Sequence, residues 1–403
     1  MPITDSPLQV TLAVCGIFHY RKYVGELSTR GCLKDFFYSH KIGTTGRSLG
    51  LRSGRAVNLW LKEYLYRGAC RVVTGQPLEL ISRLAHDQWD GGVARRLGRC
   101  DIFHGMLHGT LLKSFRRARQ MGILTLGEPV NTHPLMMRDI IRQEHDILGI
   151  PAPRDHATTL AIVDEVPHCD YLLAGSQLIR DSYVARGFSA DRAFVIPYGI
   201  DAARFHPLTP AESAAVRDDR FRVVCVAQIV PRKGIHYLLE AWDRLGLPPN
   251  KGELVLIGQA SPEMSAVLER YAGRFTHIPK VDHDRLRLEY GRADVFVLPS
   301  VEDGFGYVTT EAMGCGLPVI TTSAAGSADL IEEGLSGFVV PPRSVDALTD
   351  RLERLRQDRD LRHAMGARNL AVSQSARTWP GYVDHLVSLY RQLASRESPR
   401  RVG

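Results

Sequence analysis

Short runs of β-branched and aliphatic residues alternate with amphipathic segments along almost the whole chain. In the first half these runs are "VTLAVC" (10–15), "CRVVT" (70–74), "DIF" (101–103), "ILTL" (123–126), "YLLA" (171–174) and "AFVI" (193–196). In the second half they are "FRVVCVA" (221–227), "ELVLIG" (253–258), "FTHI" (275–278), "DVFVLP" (294–299), "PVITT" (318–322) and "GFVVP" (337–341). Runs of this kind predict buried strands, and the amphipathic segments between them predict helices. Because strands and helices alternate in both halves, we predict two doubly wound, Rossmann-like α/β domains, each with a parallel sheet.

The domain boundary is predicted within "IPYGIDAARFHPLTPAESAA" (196–215), which is rich in proline and small residues. We therefore expect an N-terminal domain over residues 1–200 and a second domain over residues 201–378. In residues 379–403 we expect a helix over "WPGYVDHLVSLYRQLA" (379–394) that packs back toward the N-terminal domain and is followed by a polar tail. Ligands of open α/β sheets bind at the carboxyl edges of the strands, so the cleft between two facing domains is the expected site.

Composition narrows the class of protein. The chain has 403 residues, of which 44% are hydrophobic, so both domains can bury a core. No apolar run approaches the ~18–20 residues of a membrane-spanning helix, and no basic segment precedes the first apolar stretch, so we expect no secretory signal. The seven cysteines include no CxxC pair, which favours free thiols in a reducing cytoplasm over a disulfide framework or a zinc site.

The net charge of +7 lies entirely in the first half of the chain. Residues 1–205 contain 26 Lys and Arg against 19 Asp and Glu, whereas the remainder contains 25 of each. This distribution fits an anionic partner, such as a phospholipid surface, nucleic acid or a phosphorylated carrier, but ordinary solvated helix faces explain it equally well. Aromatic residues do not interleave with the basic clusters, so we expect no nucleic-acid partner.

The stretch "SVEDGFGYVTTEAM" (300–313) follows a predicted strand and opens a predicted helix. Gly304 and Gly306 allow a ligand to approach the backbone closely, and the free N–H groups of a helix start suit a diphosphate. Asp303 and Glu311 are acceptors that can each take hydrogen bonds from sugar hydroxyls. The combination fits a nucleotide sugar. The alternative is structural: Asp303 caps the helix and Glu311 only offsets its dipole.

Two cations are predicted to face the same cleft. In "QIVPRKGIHYLLEA" (228–241), Arg232 and Lys233 follow the first strand of the second domain. Cations near a helix N-terminus oppose its dipole unless an anion binds there. We therefore interpret this pair as the group that neutralises a diphosphate.

These motifs resemble a known family. The segment "ADVFVLPSVEDGFGYVTTEAMGCGLPVITT" (293–322) is similar to the donor site of retaining glycosyltransferases of family 4, which have the GT-B fold. The similarity extends over about residues 165–395. The paired acids of the family correspond to Asp303 and Glu311, although the family usually has Glu at the first position and here Glu302 precedes Asp303. Where the family often has Gly-Arg, this chain has Ala227-Gln228, so Arg232 is expected to supply the missing charge.

The resemblance implies transfer of a sugar from a UDP- or GDP-linked donor to an acceptor hydroxyl with retention of configuration, in polysaccharide, lipopolysaccharide or glycolipid assembly. We expect no metal and no other cofactor, because Arg232 and Lys233 supply positive charge. The basic N-terminal domain suits a carbohydrate or lipid-linked acceptor at the inner membrane face, with this domain on an anionic membrane surface, and we expect a cytoplasmic location. In this interpretation Asp303 orients the donor sugar, Glu311 binds the ribose, and Arg232 and Lys233 stabilise the diphosphate. The expected donor-binding residues are Gly16, Arg232, Lys233, Asp303, Gly304, Phe305, Gly306, Tyr307, Val308 and Glu311.

Residues 1–160 resemble the family less closely. His104, in "DIFHGMLHG" (101–109), is placed by the pattern at the carboxyl end of a strand, where it either touches donor or acceptor as a catalytic residue or is an ordinary packed histidine. Glu128 and His133, in "LGEPVNTHP" (126–134), are candidates for contact with an acceptor hydroxyl or for a role in loop structure. Two further functions remain open: a nucleotide-sugar epimerase of similar architecture and a non-catalytic sugar-binding protein.

Overall fold

The computed structural model describes residues 8–16, 18–154, 157–375 and 377–397. It contains two parallel sheets, with strand orders β3-β2-β1-β4-β5-β6-β7 and β10-β9-β8-β11-β12-β13. All strand pairs that form these sheets are parallel, and helices connect the strands. The two doubly wound α/β domains predicted from the alternating pattern are therefore confirmed. The predicted polar tail beyond residue 397 lies outside the described residues.

The first sheet is built from seven strands, namely β1 (Val10–Val14), β2 (Leu33–Tyr38), β3 (Arg55–Asn58), β4 (Ile102–Leu107), β5 (Leu124–Pro129), β6 (Tyr171–Ala174) and β7 (Ala193–Val195). The helices in this part of the chain are α1 (Val24–Thr29), α2 (Leu61–Ala69), α3 (Gln76–Arg96), α4 (Leu112–Gln120), α5 (Pro134–Leu148), α6 (Ala157–Glu165) and α7 (Gln177–Val184). The central strands β1 and β4 are buried along their whole length, as expected for a sheet covered by helices on both faces.

The second sheet is built from six strands, namely β8 (Phe221–Val226), β9 (Gly252–Ile257), β10 (Thr276–Ile278), β11 (Val295–Leu298), β12 (Val319–Thr322) and β13 (Gly337–Val340). Its helices are α8 (Pro210–Val216), α9 (Ile235–Leu245), α10 (Ser265–Arg270), α11 (His283–Arg292), α12 (Tyr307–Gly314), α13 (Val345–Gln357) and α14 (Arg359–Ser375), and the last helix of the chain is α15 (Trp379–Glu397). Each predicted strand of this half is present, and all except the edge strand β10 are largely buried, as expected for runs this apolar in a parallel sheet.

One strand prediction in the first half is wrong. The run "CRVVT" (70–74) forms a turn after α2, and Val72 in it is 83% exposed. The strands β2 and β3 were not predicted. Both contain charged residues, and Asp35 of β2 is tolerated inside the sheet because Arg55 of β3 donates a 2.8 Å hydrogen bond to it. This cross-strand pair could not be identified from either segment alone.

The two domains contact each other through buried polar side chains. The Thr132 hydroxyl donates to Glu302 over 2.9 Å, and the Ser176 hydroxyl donates to the Gly304 carbonyl over 2.7 Å. Helix α15 packs against the first domain, since the Tyr390 hydroxyl lies 2.7 Å from Nδ1 of His104 in β4. These contacts bring the carboxyl edges of the two sheets together around one cleft.

Candidate functional site

A cleft of about 940 Å³ lies between the two domains. Its walls come from the segments that follow β1, β8 and β11, which are the strands where the order of each sheet reverses. Open α/β sheets bind ligands at this reversal point, because neighbouring loops diverge there and leave a crevice. The volume is typical of a site for a small organic ligand.

Lys233 and Asp303 form an ion pair in this cleft. Lys233 lies in a short 3-10 helix after β8, and Asp303 lies in the loop after β11. Burial would raise the pKa of Asp303, but the charges of Lys233 and Arg232 outweigh this effect and hold the pKa below its usual value. Asp303 is therefore an anionic acceptor at neutral pH. Lys233 lines the cleft but is only 8% exposed.

Arg232 makes a different contact. Its guanidinium lies 3.2 Å from Glu302, whose side chain also accepts the hydrogen bond from Thr132 across the domain interface. Glu302 is 1% exposed and is absent from the residues that line the cleft, whereas Asp303 is present. Of the two neighbouring carboxylates, Asp303 is thus the one available to a ligand, and Glu302 links Arg232 to the first domain.

The glycines of the loop after β11 have separate tasks. Gly306 has φ of +75°, and a Cβ there would lie 2.7 Å from the Leu298 side chain, so only glycine fits before α12. Gly304 is packed against the first domain, where a Cβ would lie 2.5 Å from the Val130 carbonyl. Gly306 lines the cleft with the first residues of α12, Tyr307 and Val308. The first N–H groups of a helix have no acceptor within it, so this turn can bind an anion.

Glu311 lies one turn further along α12 and also lines the cleft. The Tyr290 hydroxyl donates to its Oε2 over 3.0 Å. Burial raises the pKa of Glu311 to about 7, although the hydrogen bond from Tyr290 acts in the opposite direction. The protonation state of this carboxyl therefore changes within the physiological pH range.

On the first-domain side of the cleft, His19 presents its imidazole ring. It lies in the 3-10 helix His19–Lys22 that follows β1, and its Nε2 is 2.7 Å from Oε1 of Glu128. The ring packs against Tyr198 at an interplanar angle of 42°, with centroids 4.0 Å apart. Both His19 and Tyr198 line the cleft, so an aromatic and imidazole wall faces the charged wall of the second domain.

Glu128 is fully buried behind His19. Oε2 of Glu128 lies 3.2 Å from Nε2 of His104, and the hydroxyls of Tyr23 and Tyr198 lie 3.4 and 3.3 Å from its carboxylate. Burial would raise the pKa of Glu128, but its interactions with His19 and His104 lower it well below the usual range. The carboxylate thus holds His19 in place and is itself oriented by His104.

The structure corrects the position predicted for His104. This residue lies in the middle of β4, where it pairs with Leu12 and Leu126, and it is fully buried. It contacts Glu128 and Tyr390 but does not line the cleft. The strand continues past His104 because Gly105 does not interrupt it. The Cα of Gly105 packs closely against Phe115, and buried apolar residues follow it.

Of the other candidates from the first domain, none lies on the cleft wall. Glu128 is behind His19, and His133 is the N-cap residue of α5, where it accepts a hydrogen bond from the Leu135 N–H. Burial lowers the pKa of His133 to about 4. Gly16, with φ of +116°, turns the chain after β1 without lining the cleft. The acceptor roles of Glu128 and His133 remain predictions.

Sequence reasoning missed His19, Phe18, Tyr198 and Trp379, which all line the cleft. A signal for His19 and Phe18 was present, since "GIFHYRK" (16–22) directly follows the first strand. No comparable signal marks Tyr198 and Trp379, which reach the cleft from the interdomain segment and from the start of α15. In the described residues, no group of three His, Cys, Asp or Glu side chains could hold a metal ion. Nor is any described helix both long and apolar enough to cross a bilayer.

Comparison with known protein families and relatives finds sequence similarity to glycosyltransferases, with the family match in the second domain. Residues 211–371 match the family model described as "Glycosyl transferases group 1". Among relatives, a GDP-mannose-dependent alpha-(1-6)-phosphatidylinositol monomannoside mannosyltransferase of Mycobacterium tuberculosis is 33% identical over 189 residues, covering 43% of this chain and 49% of the relative. A D-inositol 3-phosphate glycosyltransferase of Paenarthrobacter aurescens is 29% identical over 236 residues, covering 56% and 58%. The matches span about half of each relative.

Solved structures extend the similarity to the whole chain at the level of the fold. Sucrose-phosphate synthase of Thermosynechococcus elongatus superposes with a TM-score of 0.71 at 18% identity, covering 96% of this chain and 100% of that one. Anabaena HepE, solved in complex with UDP and glucose, gives a TM-score of 0.66 at 15% identity, with coverage of 96% and 100%. The fold is therefore GT-B, as the resemblance implied.

Proposed function

We propose that the protein transfers a sugar from a nucleotide diphosphate sugar to an acceptor hydroxyl, because residues 211–371 match the family model of the group 1 glycosyl transferases. The observation that supports this proposal most strongly is the grouping of Arg232, Lys233, Asp303 and Glu311 around the start of α12 in one interdomain cleft. Cations and helix N–H groups suit a diphosphate, and the two acids suit the hydroxylated groups at either end of it.

The roles follow from the geometry and from the family resemblance. Lys233, Arg232 and the first-turn amides of α12 stabilise the negative charge that develops on the departing diphosphate. Asp303 accepts hydrogen bonds from the donor sugar, and Glu311 accepts them from the ribose. Positive side chains supply the required charge, so we propose that transfer needs no bound metal.

We further propose a retaining reaction, as in family 4. The acceptor oxygen bonds to the anomeric carbon on the face from which the diphosphate leaves, the bond from that carbon to the diphosphate oxygen breaks, and the acceptor proton passes to the departing phosphate. No second carboxylate is needed as a nucleophile in this route, and the protein acts by positioning and charge stabilisation.

For the acceptor we propose a carbohydrate or a lipid-linked molecule used in polysaccharide or glycolipid assembly, handled by a cytoplasmic protein at the inner membrane face. The names of two relatives, a phosphatidylinositol monomannoside mannosyltransferase and a D-inositol 3-phosphate glycosyltransferase, both indicate inositol-containing acceptors. Phosphatidylinositol mannosides and inositol phosphates, together with simple octyl glycosides, therefore form the first panel of acceptors to test.

The proposal is tested in two steps. A thermal-shift screen with UDP, GDP, ADP and their sugars should identify a donor, because a ligand that binds the folded state raises the melting temperature. The donor is then incubated with the acceptor panel, with and without EDTA, and the product is analysed by NMR. We expect a glycoside with the anomeric configuration of the donor in both conditions. An isomerised sugar formed without acceptor would instead indicate an epimerase, and binding without turnover would indicate a binding protein; either result would refute the proposal.

The pKa of about 7 for Glu311 predicts a pH-dependent affinity for the donor. An ionised carboxylate accepts two hydrogen bonds from a ribose diol, whereas the protonated form accepts them less well. If only the ionised form binds tightly, affinity should rise by up to about tenfold between about pH 6 and pH 8. Isothermal titration with a nucleotide diphosphate sugar, whose phosphates do not titrate in this range, measures this change.

The matched variant is Glu311→Gln, which keeps the size of the side chain and removes its titration. We expect it to bind the donor about tenfold more weakly at the upper pH and to show a flat profile. If the variant retained the pH dependence of the wild type, another group would have to be responsible for it.

A further inference from the structure

Helix α2 buries charged side chains and exposes apolar ones, which is the reverse of an ordinary surface helix. It buries Lys62 and Glu63, which are 6% and 8% exposed and form an ion pair of 2.7 Å. On its outer side it exposes Leu61, Tyr64 and Leu65, each at least 40%. A helix on a water-exposed protein surface normally does the reverse, because burying charge costs free energy and burying apolar side chains releases it.

The exposed apolar area extends beyond this helix. Trp60 contacts Tyr64 edge-on at 5.6 Å, and the Ile42 N–H donates to the Tyr64 hydroxyl. Helix α3, which packs against α2, adds two exposed leucines. Of the eleven exposed large hydrophobic side chains among the described residues, nine lie in residues 42–84. We call this area the α2 surface; it comprises Ile42, Trp60, Leu61, Tyr64, Leu65, Tyr66, Val72, Leu80 and Leu84.

The same segment carries most of the net charge of the protein. Residues 41–84 contain eight Lys and Arg against two Asp and Glu, a net charge of +6 out of +7 for the chain. The exposed cations among them are Lys41, Arg47, Arg52, Arg55, Arg67, Arg71 and Arg83. An apolar area with tryptophan and tyrosine, bordered by cations, has the composition of a surface that enters the headgroup region of an anionic bilayer.

We propose that the α2 surface docks the protein on an anionic lipid surface. Trp60, Leu61, Tyr64 and Leu65 enter the headgroup region, and the surrounding arginines contact lipid phosphates. A second copy of the chain fits less well, because two such surfaces would bring two charges of +6 together. The buried Lys62–Glu63 pair is the means by which the helix keeps its apolar side outward.

The position of α2 relates this surface to the cleft. Lys62 interacts with the thiol of Cys15, which directly follows β1, and His19 of the cleft follows the same strand. The docked face is therefore at the carboxyl edge of the first sheet, close to the cleft. If the proposed function is correct, a lipid-linked acceptor would reach the cleft from the bilayer without leaving it; only this last point rests on the proposed function.

Trp60 provides a direct probe, because it is 40% exposed whereas Trp89, Trp242 and Trp379 are at most 9% exposed. The full-length protein is mixed with vesicles of phosphatidylcholine alone or of phosphatidylcholine with phosphatidylglycerol. We expect co-sedimentation only with the anionic vesicles, weakening with added salt, and a blue shift of Trp60 emission that is lost in Trp60→Phe. Equal binding to both vesicle types, or no binding, would refute the proposal.

Variants locate the binding surface. Leu61→Ser/Leu65→Ser and Arg71→Glu/Arg83→Glu should each weaken vesicle binding by about tenfold or more, since each double variant removes two apolar side chains or two cations from the binding surface. The controls are Leu335→Ser, at a leucine that is 63% exposed in the second domain, and Arg359→Glu, at an exposed arginine there. If the controls weakened binding as much as the α2 variants, the assigned surface would be wrong.

Two further readouts separate this inference from the proposed function. Lys233→Ala should bind vesicles like the wild type even though it loses transfer, and Leu61→Ser/Leu65→Ser should retain transfer to an octyl glycoside in solution. Light scattering tests the other occupant: a dimer in the wild type that becomes a monomer in Leu61→Ser/Leu65→Ser would assign the surface to a second copy and overturn lipid docking.

Discussion

Replacing Lys233 with alanine should lower the turnover number for sugar transfer by about 100-fold or more, the scale observed when one charge-stabilising group is removed from an active site. Lys233 is 8% exposed and is held against the cleft by Asp303. Its charge acts in a partly dehydrated setting, where it stabilises a departing diphosphate far better than water does. The measurement is steady-state kinetics of nucleotide diphosphate release with saturating donor.

The control variants separate catalysis from folding. Removing one partner of a buried ion pair can destabilise a protein by about 3–5 kcal/mol, because the other charge remains buried without a partner. Lys233→Ala/Asp303→Asn removes both charges and should regain stability without regaining turnover. Lys251→Ala, at an exposed lysine of the same domain, should leave both unchanged. Transfer and donor hydrolysis at wild-type rates in Lys233→Ala would reject the role assigned to this residue.

Replacing Glu128 with alanine should lower the free energy of unfolding by about 3–5 kcal/mol. The carboxylate is fully buried between His19 and His104 and accepts hydrogen bonds from Tyr23 and Tyr198. Its removal leaves these buried donors unpaired and opens a cavity behind His19. Urea unfolding followed by circular dichroism measures the change.

Two companion variants sharpen this test. Glu128→Gln retains the shape of the side chain and should lose less stability, while still loosening the position of His19. Glu26→Ala removes a carboxylate of the same domain whose ion pair with Arg30 is partly exposed, with side-chain exposures of 36% and 38%, and it should change the free energy of unfolding by less than about 1 kcal/mol. A Glu128→Ala variant as stable as Glu26→Ala would show that the buried network does not stabilise the domain.

The histidines illustrate where sequence reasoning reached its limit. The pattern "DIF" suggested that β4 ends before His104, but the strand continues to Leu107. His104 therefore points into the domain and contacts Tyr390 from the far end of the chain. The residue that reaches the cleft, His19, lies after the first strand, in a segment whose position relative to Glu128 depends on contacts more than a hundred residues apart.

The strands β2 and β3 at the edge of the first sheet were not predicted for a related reason. In β2 and β3, charged residues interrupt the apolar run, and the pairing of Asp35 with Arg55 makes them acceptable only once the strands lie side by side. The opposite error occurred at residues 70–74, where valines suggested a strand but the segment lies on the exposed side of the first domain, after α2.

By itself, the sequence determined that the chain forms two doubly wound α/β domains, and it predicted a set of residues in the second half that would suit a diphosphate and two sugars. These features could be predicted because strand periodicity, glycine turns and the charges of a loop are properties of short contiguous segments. Only the tertiary structure decided which of Glu302 and Asp303 faces the cleft, that His19 forms its opposite wall, and that α2 presents its apolar side outward. Each of these depends on which distant side chain satisfies a buried charge, and that information is absent from any single segment.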